Sequence, residues 1–214
     1  FRRVLFRSGV FEATPLEIAT AYTVFPNLGV VRPMRNIMQI TRGGTDVTGK
    51  ATVRPRGIVR PETAYLVTSM MRSVINEGTG YGVRAAGFTL DAAGKTGTTN
   101  DLRDAWFVGF TPELLTVVWV GFDDNQPLGL SGAQAALPIW VQFMKRALAG
   151  HPNVQFAVPD GVSFVDIDPL NGKLAVSDCP KVVREAFLAG TEPVESCDLH
   201  RFPGSPPVIT GANR

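Results

Sequence analysis

The chain of 214 residues carries 21 basic and 19 acidic side chains, a net charge of +2, and 44% of its residues are hydrophobic. This composition excludes a disordered chain and lacks the basic excess of nucleic-acid-binding proteins, so we expect neutral or mildly anionic partners and no nucleic acid. No apolar run reaches the roughly 18 to 20 residues that cross a bilayer, so any membrane anchor is expected outside this chain.

The N-terminal third contains two predicted helices. Residues 1–8 hold three arginines without a capping or turn pattern, and we interpret them as a scar of cloning or sequence assembly. Thr14-Pro15-Leu16-Glu17 combines a capping box with proline at the first helical position and predicts a helix to about Phe25. Short strands around an exposed loop are expected in residues 30–60, and a second helix from Pro61 to Gly78.

Three predicted strands follow, at Ala93–Thr99, Ala105–Thr111 and Leu114–Phe122. The turns between them are short enough for hairpins, so the strands should form an antiparallel meander. Their near-continuous apolar content indicates a sheet that is covered on both faces.

The rest of the chain is predicted as a loop at 123–138, a last helix and a tail. The helix contains Trp140 and Phe143, both expected in the core together with Trp119. These elements predict an α/β (α+β) fold, an antiparallel sheet with flanking helices, over residues 9–150. Residues 151–214 are rich in proline and glycine and are expected to form a tail or appendage with a short strand at 162–167.

The most specific sequence feature is Lys95-Thr96-Gly97-Thr98, at the start of a predicted strand. Strand periodicity places Thr96 and Thr98 on one side, where two hydroxyls and a nearby ammonium can meet one carboxylate. Gly97 between them allows a substrate backbone to pair along the strand edge. This motif occurs in penicillin-binding proteins and serine β-lactamases.

A phosphate-binding loop is the alternative for Gly94-Lys95-Thr96, and we reject it. That motif needs a glycine five residues earlier, where this chain has Thr89, and it must open a helix rather than a strand.

Seven segments extend the similarity beyond the motif: Thr14 to Ala19, Asn76 to Gly80, Ala93 to Asn100, Arg103 to Pro112, Val118 to Asp123, Ala136 to Trp140 and Gly190 to Pro193. Over about residues 9–200, the chain resembles the C-terminal part of the bifunctional class A penicillin-binding proteins. The resemblance implies the penicillin-binding protein/serine β-lactamase-like transpeptidase fold, here incomplete at its N-terminal side.

The same resemblance implies a peptidoglycan D,D-transpeptidase that cross-links D-alanyl-D-alanine stem peptides by serine acyl transfer and is acylated by β-lactams. It places the parent enzyme at the bacterial inner membrane, with its catalytic domain on the periplasmic side and a glycosyltransferase domain upstream. It implies no cofactor. The alternatives are a serine β-lactamase and a non-catalytic sensor or binding module.

The resemblance also assigns roles within the motif strand. Lys95 would help the proton relay, the backbone N–H of Thr98 would form half of the oxyanion hole, and Thr96, Gly97, Thr98 and Thr99 would bind substrate.

The serine nucleophile is missing from this chain. None of its eight serines is followed by lysine at the third position or by asparagine at the second. These two family motifs precede the lysine-threonine-glycine strand, so we expect them upstream and expect this chain alone to be inactive.

Two further groups of polar residues are candidate sites. Asp104 could fix Arg103 or the ends of the strands, and we interpret it instead as a solvated turn carboxylate. Cys179 and Cys197 form either a disulfide or two free thiols on spacing alone, and the oxidising compartment that the resemblance implies favours the disulfide. With His200 they match no common zinc spacing, so no metal site is predicted.

Overall fold

The computed structural model describes residues 4–5, 12–35, 37–49 and 54–200, and the chain divides into two compact units, residues 1–157 and 158–214. The regular elements of the first unit are β1 (Val4–Leu5), β2 (Glu12–Ala13), α1 (Pro15–Tyr22), β3 (Val30–Val31), β4 (Thr41–Arg42), β5 (Thr45–Asp46), β6 (Arg56–Gly57), α2 (Pro61–Asn76), α3 (Gly82–Ala85), β7 (Ala93–Thr98), β8 (Asp104–Phe110), β9 (Leu115–Gly121) and α4 (Gly132–Ala147). Those of the second unit are β10 (Val162–Ile167) and β11 (Val183–Leu188). Most of the predicted scar at residues 1–8 lies outside the described residues.

The first two predicted helices are present. The hydroxyl oxygen of Thr14 accepts from the Glu17 N–H (3.2 Å) and the Glu17 carboxylate accepts from the Thr14 N–H (2.8 Å), which is the predicted capping box. Helix α1 ends at Tyr22, earlier than predicted, and continues as turns. Helix α2 begins at Pro61 as predicted, and the N–H groups of Glu77 and Gly78 close its last turn.

The predicted antiparallel meander is confirmed, with every strand bound within one residue of its predicted position. In the described part of the chain, β7, β8 and β9 form one sheet in which β8 is central and β7 is an edge strand. The register pairs Lys95 with Val108 and Gly97 with Trp106.

Helices cover both faces of this sheet, so all seven residues of β8 are buried. On one face Phe107 packs with Ile75 of α2 and Trp140 of α4. On the other, Trp106 and Val108 pack with Ile18 of α1. Side chains of β8 therefore alternate between two apolar layers, as expected for a strand buried on both sides.

Helix α4 begins at Gly132, inside the predicted loop, so the prediction of a loop to residue 138 is wrong. Ser131 and Gln134 form a capping box, and the helix continues through Pro138. The proline led to the wrong start because it is far commoner in the first turn of a helix than in its interior. Phe143, predicted in the core, is 49% exposed, because Trp140 and Met144 define the buried stripe and Phe143 lies beside it.

A buried carboxylate ties α2 to the end of the first unit. Asp91 Oδ1 accepts from Arg72 Nε of α2 (2.8 Å), and Asp91 Oδ2 accepts from the Phe156 N–H (3.2 Å). The Phe156 ring packs on Phe110 of the sheet, with ring centroids 5.6 Å apart. Residues 151–157 thus belong to the first unit, whereas the sequence grouped them with the tail.

The second unit is built on one hairpin-like pair, β10 and β11, with β10 at the predicted 162–167. The Ser163 hydroxyl of β10 donates to Glu192, whose other carboxylate oxygen accepts from the Gly190 N–H (2.7 Å). These hydrogen bonds hold the pKa of Glu192 below its ordinary value, with the Ser163 bond the largest cause.

Candidate active site

The Lys-Thr-Gly motif lies on the edge strand β7, where the sequence predicted it. A Cβ at Gly97 would stand 3.1 Å from Trp106 Cβ, so glycine at this position lets β7 pack closely against the indole of the neighbouring strand. The motif therefore packs on the core of the sheet. On its other side β7 pairs with no described strand, and we call this side the open edge.

The backbone of β7 alternates between β8 and the open edge. The Thr99 N–H donates to the Asp104 carbonyl (3.1 Å), so residue 99 faces β8, and the register is regular through the strand. Because backbone groups of successive residues point in opposite directions, the N–H and C=O groups of Thr96 and Thr98 face the open edge. A substrate chain laid along this edge would meet two N–H donors.

The Lys95 side chain reaches the same edge. Its ammonium donates to the Thr96 carbonyl (2.7 Å), a group that faces the open edge, and lies 3.4 Å from Thr96 Oγ1. Lys95 is half-buried, which places a positive charge beside the two outward N–H groups in a partly desolvated setting.

Thr96 makes a contact that sequence reasoning did not find. Its hydroxyl lies 3.0 Å from the hydroxyl of Thr79, in the Gly78-Thr79-Gly80 turn after α2. The Gly80 N–H donates to the Val74 carbonyl (2.9 Å), and this hydrogen bond folds the turn back against the end of α2. The sequence signal for this contact is a threonine between two glycines at the end of a helix, upstream of the motif strand.

Thr98 is oriented by the start of α4. The Gly132 N–H donates to Thr98 Oγ1 (3.1 Å), which leaves the hydroxyl proton of Thr98 available for another acceptor. A Cβ at Gly132 would stand 2.5 Å from the Gly97 carbonyl oxygen and 2.3 Å from that of Trp106, so only glycine permits this approach. The Ser131 capping box could have located this helix start.

Thr99 closes the far end of the motif strand against Asp104. The Asp104 N–H donates to Thr99 Oγ1 (2.8 Å), and the Thr99 hydroxyl donates to Asp104 Oδ2 (3.4 Å). Asp104 Oδ1 also accepts from Trp119 Nε1 (2.9 Å), and the residue is only 5% exposed. The interpretation of Asp104 as a solvated turn carboxylate is therefore wrong: Asp104 pairs with Gly121 of β9, and Trp119, two residues earlier on that strand, donates to its carboxylate. Arg103 instead donates to the Asn125 carbonyl (3.0 Å).

The two cysteines lie in the second unit, and both are free thiols in this structure. Their sulfur atoms lie within 4.8 Å of one another and of ligand atoms on Asp168 and His200. The predicted disulfide between Cys179 and Cys197 stays a prediction.

A Lys-Thr-Gly motif on the edge strand of an antiparallel sheet is typical of the penicillin-binding proteins and serine β-lactamases. The family model described as penicillin binding protein transpeptidase domain matches residues 6–145, and the chain belongs to this family. The model described as penicillin-binding protein 1A, C-terminal domain, matches residues 158–202, which lie in the second unit. The predicted fold class and family are confirmed.

Similar proteins carry the same family name. Penicillin-binding protein 1A of Aquifex aeolicus is 40% identical over 200 residues, which cover 92% of this chain and 27% of the relative. The crystal structure of penicillin-binding protein 1A from Haemophilus influenzae is 31% identical, with a TM-score of 0.75 over 88% of this chain and 34% of that one. The D,D-transpeptidase domain of a peptidoglycan glycosyltransferase from Eggerthella lenta is 28% identical, with a TM-score of 0.51 over 65% and 33%. This chain thus spans about a quarter of the length of the first relative.

Proposed function

We propose that this chain supplies the Lys-Thr-Gly wall of a peptidoglycan D,D-transpeptidase active site. The observation that carries the proposal is the direction of the backbone groups of Thr96 and Thr98 toward the open edge, beside the Lys95 ammonium. A D-alanyl-D-alanine end presents one carboxylate and one reacting carbonyl, and such an edge offers hydroxyl, ammonium and N–H groups to both.

The proposed role of each motif residue follows from the direction in which its backbone or side-chain groups point. The Thr98 N–H is the donor that would stabilise the oxyanion, an interaction worth about 3 kcal/mol of barrier when well aimed. The hydroxyls of Thr96 and Thr98 would bind the terminal carboxylate, with Lys95 supplying positive potential. Thr99 keeps its hydroxyl on Asp104, so its part in substrate binding would be to fix the end of the strand.

The reaction we propose for the parent enzyme is serine acyl transfer. A serine oxygen outside this chain attacks the penultimate carbonyl, the bond to the terminal D-alanine breaks, and that amine leaves with the serine proton. An amine of a neighbouring stem peptide then attacks the acyl-enzyme and releases the serine. Lys95 would help to move that proton.

For the parent protein we further propose an upstream glycosyltransferase domain and a catalytic domain on the periplasmic side of the bacterial inner membrane. Both proposals rest on the relatives of the chain. Within the described residues, no helix is both long and apolar enough to span a bilayer.

The first experiment is intact mass after incubation with benzylpenicillin, on this chain and on the chain joined to its upstream sequence. We expect an adduct only on the longer protein and about a hundredfold slower acylation in its Lys95→Ala variant. Lys145→Ala, on the outer side of α4, is the matched control and should acylate normally. An adduct on the short chain would mean that it holds its own nucleophile, and none on either would favour a non-catalytic binding module.

A proline substitution tests the direction of the Thr98 N–H. Proline is tolerated on an edge strand where the lost N–H faces outward, so Thr98→Pro should keep the β7–β8 pairing while acylation falls on the order of a hundredfold. Thr98→Ala removes the hydroxyl but keeps the N–H, and should acylate faster than Thr98→Pro. Equal rates for the two variants would contradict the oxyanion role. Rapid release of the adduct by water in the parent protein would instead indicate a β-lactamase.

A further inference from the structure

The second unit has almost no apolar core. Among its described residues, 158–200, only Asp168, Val176 and Cys197 are buried, and their exposed fractions are 1%, 9% and 0%. A two-stranded sheet without an apolar layer is marginally stable in water, and small units whose core is insufficient are commonly stabilised by a disulfide or a metal ion. Two of the three buried residues carry side chains that bind metals.

Four potential ligand atoms converge at this point. The oxygen of Asp168, the sulfurs of Cys179 and Cys197 and a ring nitrogen of His200 all lie within 4.8 Å of one another. Cys197 Sγ is 3.1 Å from Asp168 Oδ2 and 3.5 Å from His200 Nδ1, and His200 Nδ1 is 2.5 Å from Asp168 Oδ2. Three segments of the chain, around Asp168, around Cys179 and from Cys197 to His200, have to fold together to make this cluster.

The backbone explains how these residues meet. Asp168 directly follows β10, and its N–H donates to the Lys173 carbonyl (2.9 Å), which turns the chain back on itself. The Cys197 N–H donates to the Leu174 carbonyl (2.8 Å), which brings the C-terminal segment beside that turn. The Cys179 N–H donates to the Val176 carbonyl (3.0 Å) and places the second thiol at the same point.

We propose that Asp168, Cys179, Cys197 and His200 form a structural zinc site that holds the second unit together. Zinc bonds of about 2.0 to 2.3 Å place tetrahedral ligand atoms about 3.3 to 3.8 Å apart, and the separations here, from 2.5 Å to no more than 4.8 Å, bracket that range. Two thiolates, one imidazole and one carboxylate are all ligand types that zinc accepts, and four protein ligands make a closed, structural site. On binding, the two thiols release their protons to solvent.

The surroundings of the cluster fit ligands that carry negative charge. The Val176 N–H donates to Cys179 Sγ (3.3 Å), and Asn171 Nδ2 donates to Cys197 Sγ (3.4 Å). The Leu170 N–H donates to the second oxygen of Asp168 (2.9 Å), which leaves Oδ2 directed at the cluster. Hydrogen bonds of this kind orient metal ligands and stabilise thiolates.

A disulfide between the two cysteines accounts for less of this arrangement. It would use the two sulfurs alone and would leave unexplained why a buried carboxylate and a histidine nitrogen both contact Cys197 Sγ. The zinc site uses all four groups. It therefore departs from the sequence-based expectation of no metal, and it does not depend on the transpeptidase proposal.

The test is zinc content of the full 214-residue chain. The chain is reduced, loaded with zinc chloride, passed over a desalting column and analysed for metal by mass spectrometry. We expect one zinc per chain, and about a tenfold or greater loss of retained zinc in His200→Ala and Asp168→Asn. His151→Ala, which removes the other histidine of the chain, is the matched control and should retain zinc. Cobalt(II) provides a second readout, because thiolate-to-metal charge-transfer absorption should appear and should weaken in Cys197→Ser, which removes one of the two thiolates.

The wild-type measurement decides the proposal even if a variant fails to fold. A reduced chain that retains no zinc would overturn it. So would a chain prepared without reductant in the presence of zinc that is metal-free and two hydrogens lighter by intact mass, since its cysteines are then bridged. His200→Cys separates ligand loss from misfolding, because a third thiol should restore zinc binding that His200→Ala loses.

Discussion

Gly132→Ala is expected to lift the start of helix α4 from the sheet. The added Cβ would stand 2.3 Å from the Trp106 carbonyl oxygen and 2.5 Å from that of Gly97, about 1 Å short of an ordinary carbon–oxygen contact of about 3.3 Å. Both obstacles are backbone atoms of paired strands and cannot rotate away. Overpacking of a well-packed core costs about 1 to 3 kcal/mol, and we expect a value near 3 kcal/mol here.

The assay is urea unfolding followed by tryptophan fluorescence. The three tryptophans of the chain, Trp106, Trp119 and Trp140, all lie in the first unit, so their emission reports that unit alone. With a slope of about 2 kcal/mol per molar urea, a loss of 3 kcal/mol lowers the midpoint by about 1.5 M. The Gly132 N–H would also leave Thr98 Oγ1, so the same variant of the longer protein should acylate more slowly.

Gly57→Ala is the control, because a Cβ at Gly57 meets no atom within 4 Å and its backbone needs no positive φ. A Gly132→Ala midpoint within about 0.3 M of that control would refute the close approach of α4 to the motif strand.

Three further substitutions test other contacts. Asp91→Ala removes the buried acceptor of Arg72 and should cost about 3 kcal/mol in the same urea assay, whereas Glu113→Ala, in an exposed pair with a histidine, should stay within about 0.5 kcal/mol. Asp104→Asn loses the acceptor of the Thr99 hydroxyl and should cost about 1 to 2 kcal/mol, and an unchanged midpoint would contradict that role. Because the folded pKa of Glu192 is lowered, its stabilisation is complete above pH about 4.3 and is lost as the pH falls through the folded pKa; hydrogen exchange of β10 between pH about 3 and 5 should show this loss in the wild type and not in Glu192→Gln.

The sheet and the motif strand were predictable because their signals are local. The alternating and continuous apolar runs of β7 to β9 lie within 30 residues, and short turns fix how they pair. The capping box at Thr14 likewise acts within one helical turn. At these positions the residue pattern and the packed structure require the same conformation, so the strand bounds shift by no more than one residue.

The contacts that make the site were not predictable in the same way, because they join residues far apart in the chain. The Thr79 hydroxyl meets Thr96, and the Gly132 N–H meets Thr98, only after α2 and α4 pack on one face of the sheet. The burial of Asp104 depends on Trp119, which stands one strand away. No periodicity encodes such pairs, and a polar residue in a turn is ordinarily solvated.

Glycine at position 97 is required both by the packing of β7 on Trp106 and by the proposed pairing of substrate along the open edge. A Cβ there would stand 3.1 Å from Trp106 Cβ, a tighter contact than most real ones, whether or not a substrate lies on the open edge. Loss of acylation in Gly97→Ala would therefore mix strand displacement with lost substrate pairing and could not be assigned to either. Thr96→Val is the cleaner probe: it keeps the shape of the side chain and removes only the hydroxyl that faces Thr79 and Lys95. Slower acylation in Thr96→Val with an unchanged urea midpoint would assign the effect to substrate binding, because a packing defect would lower both.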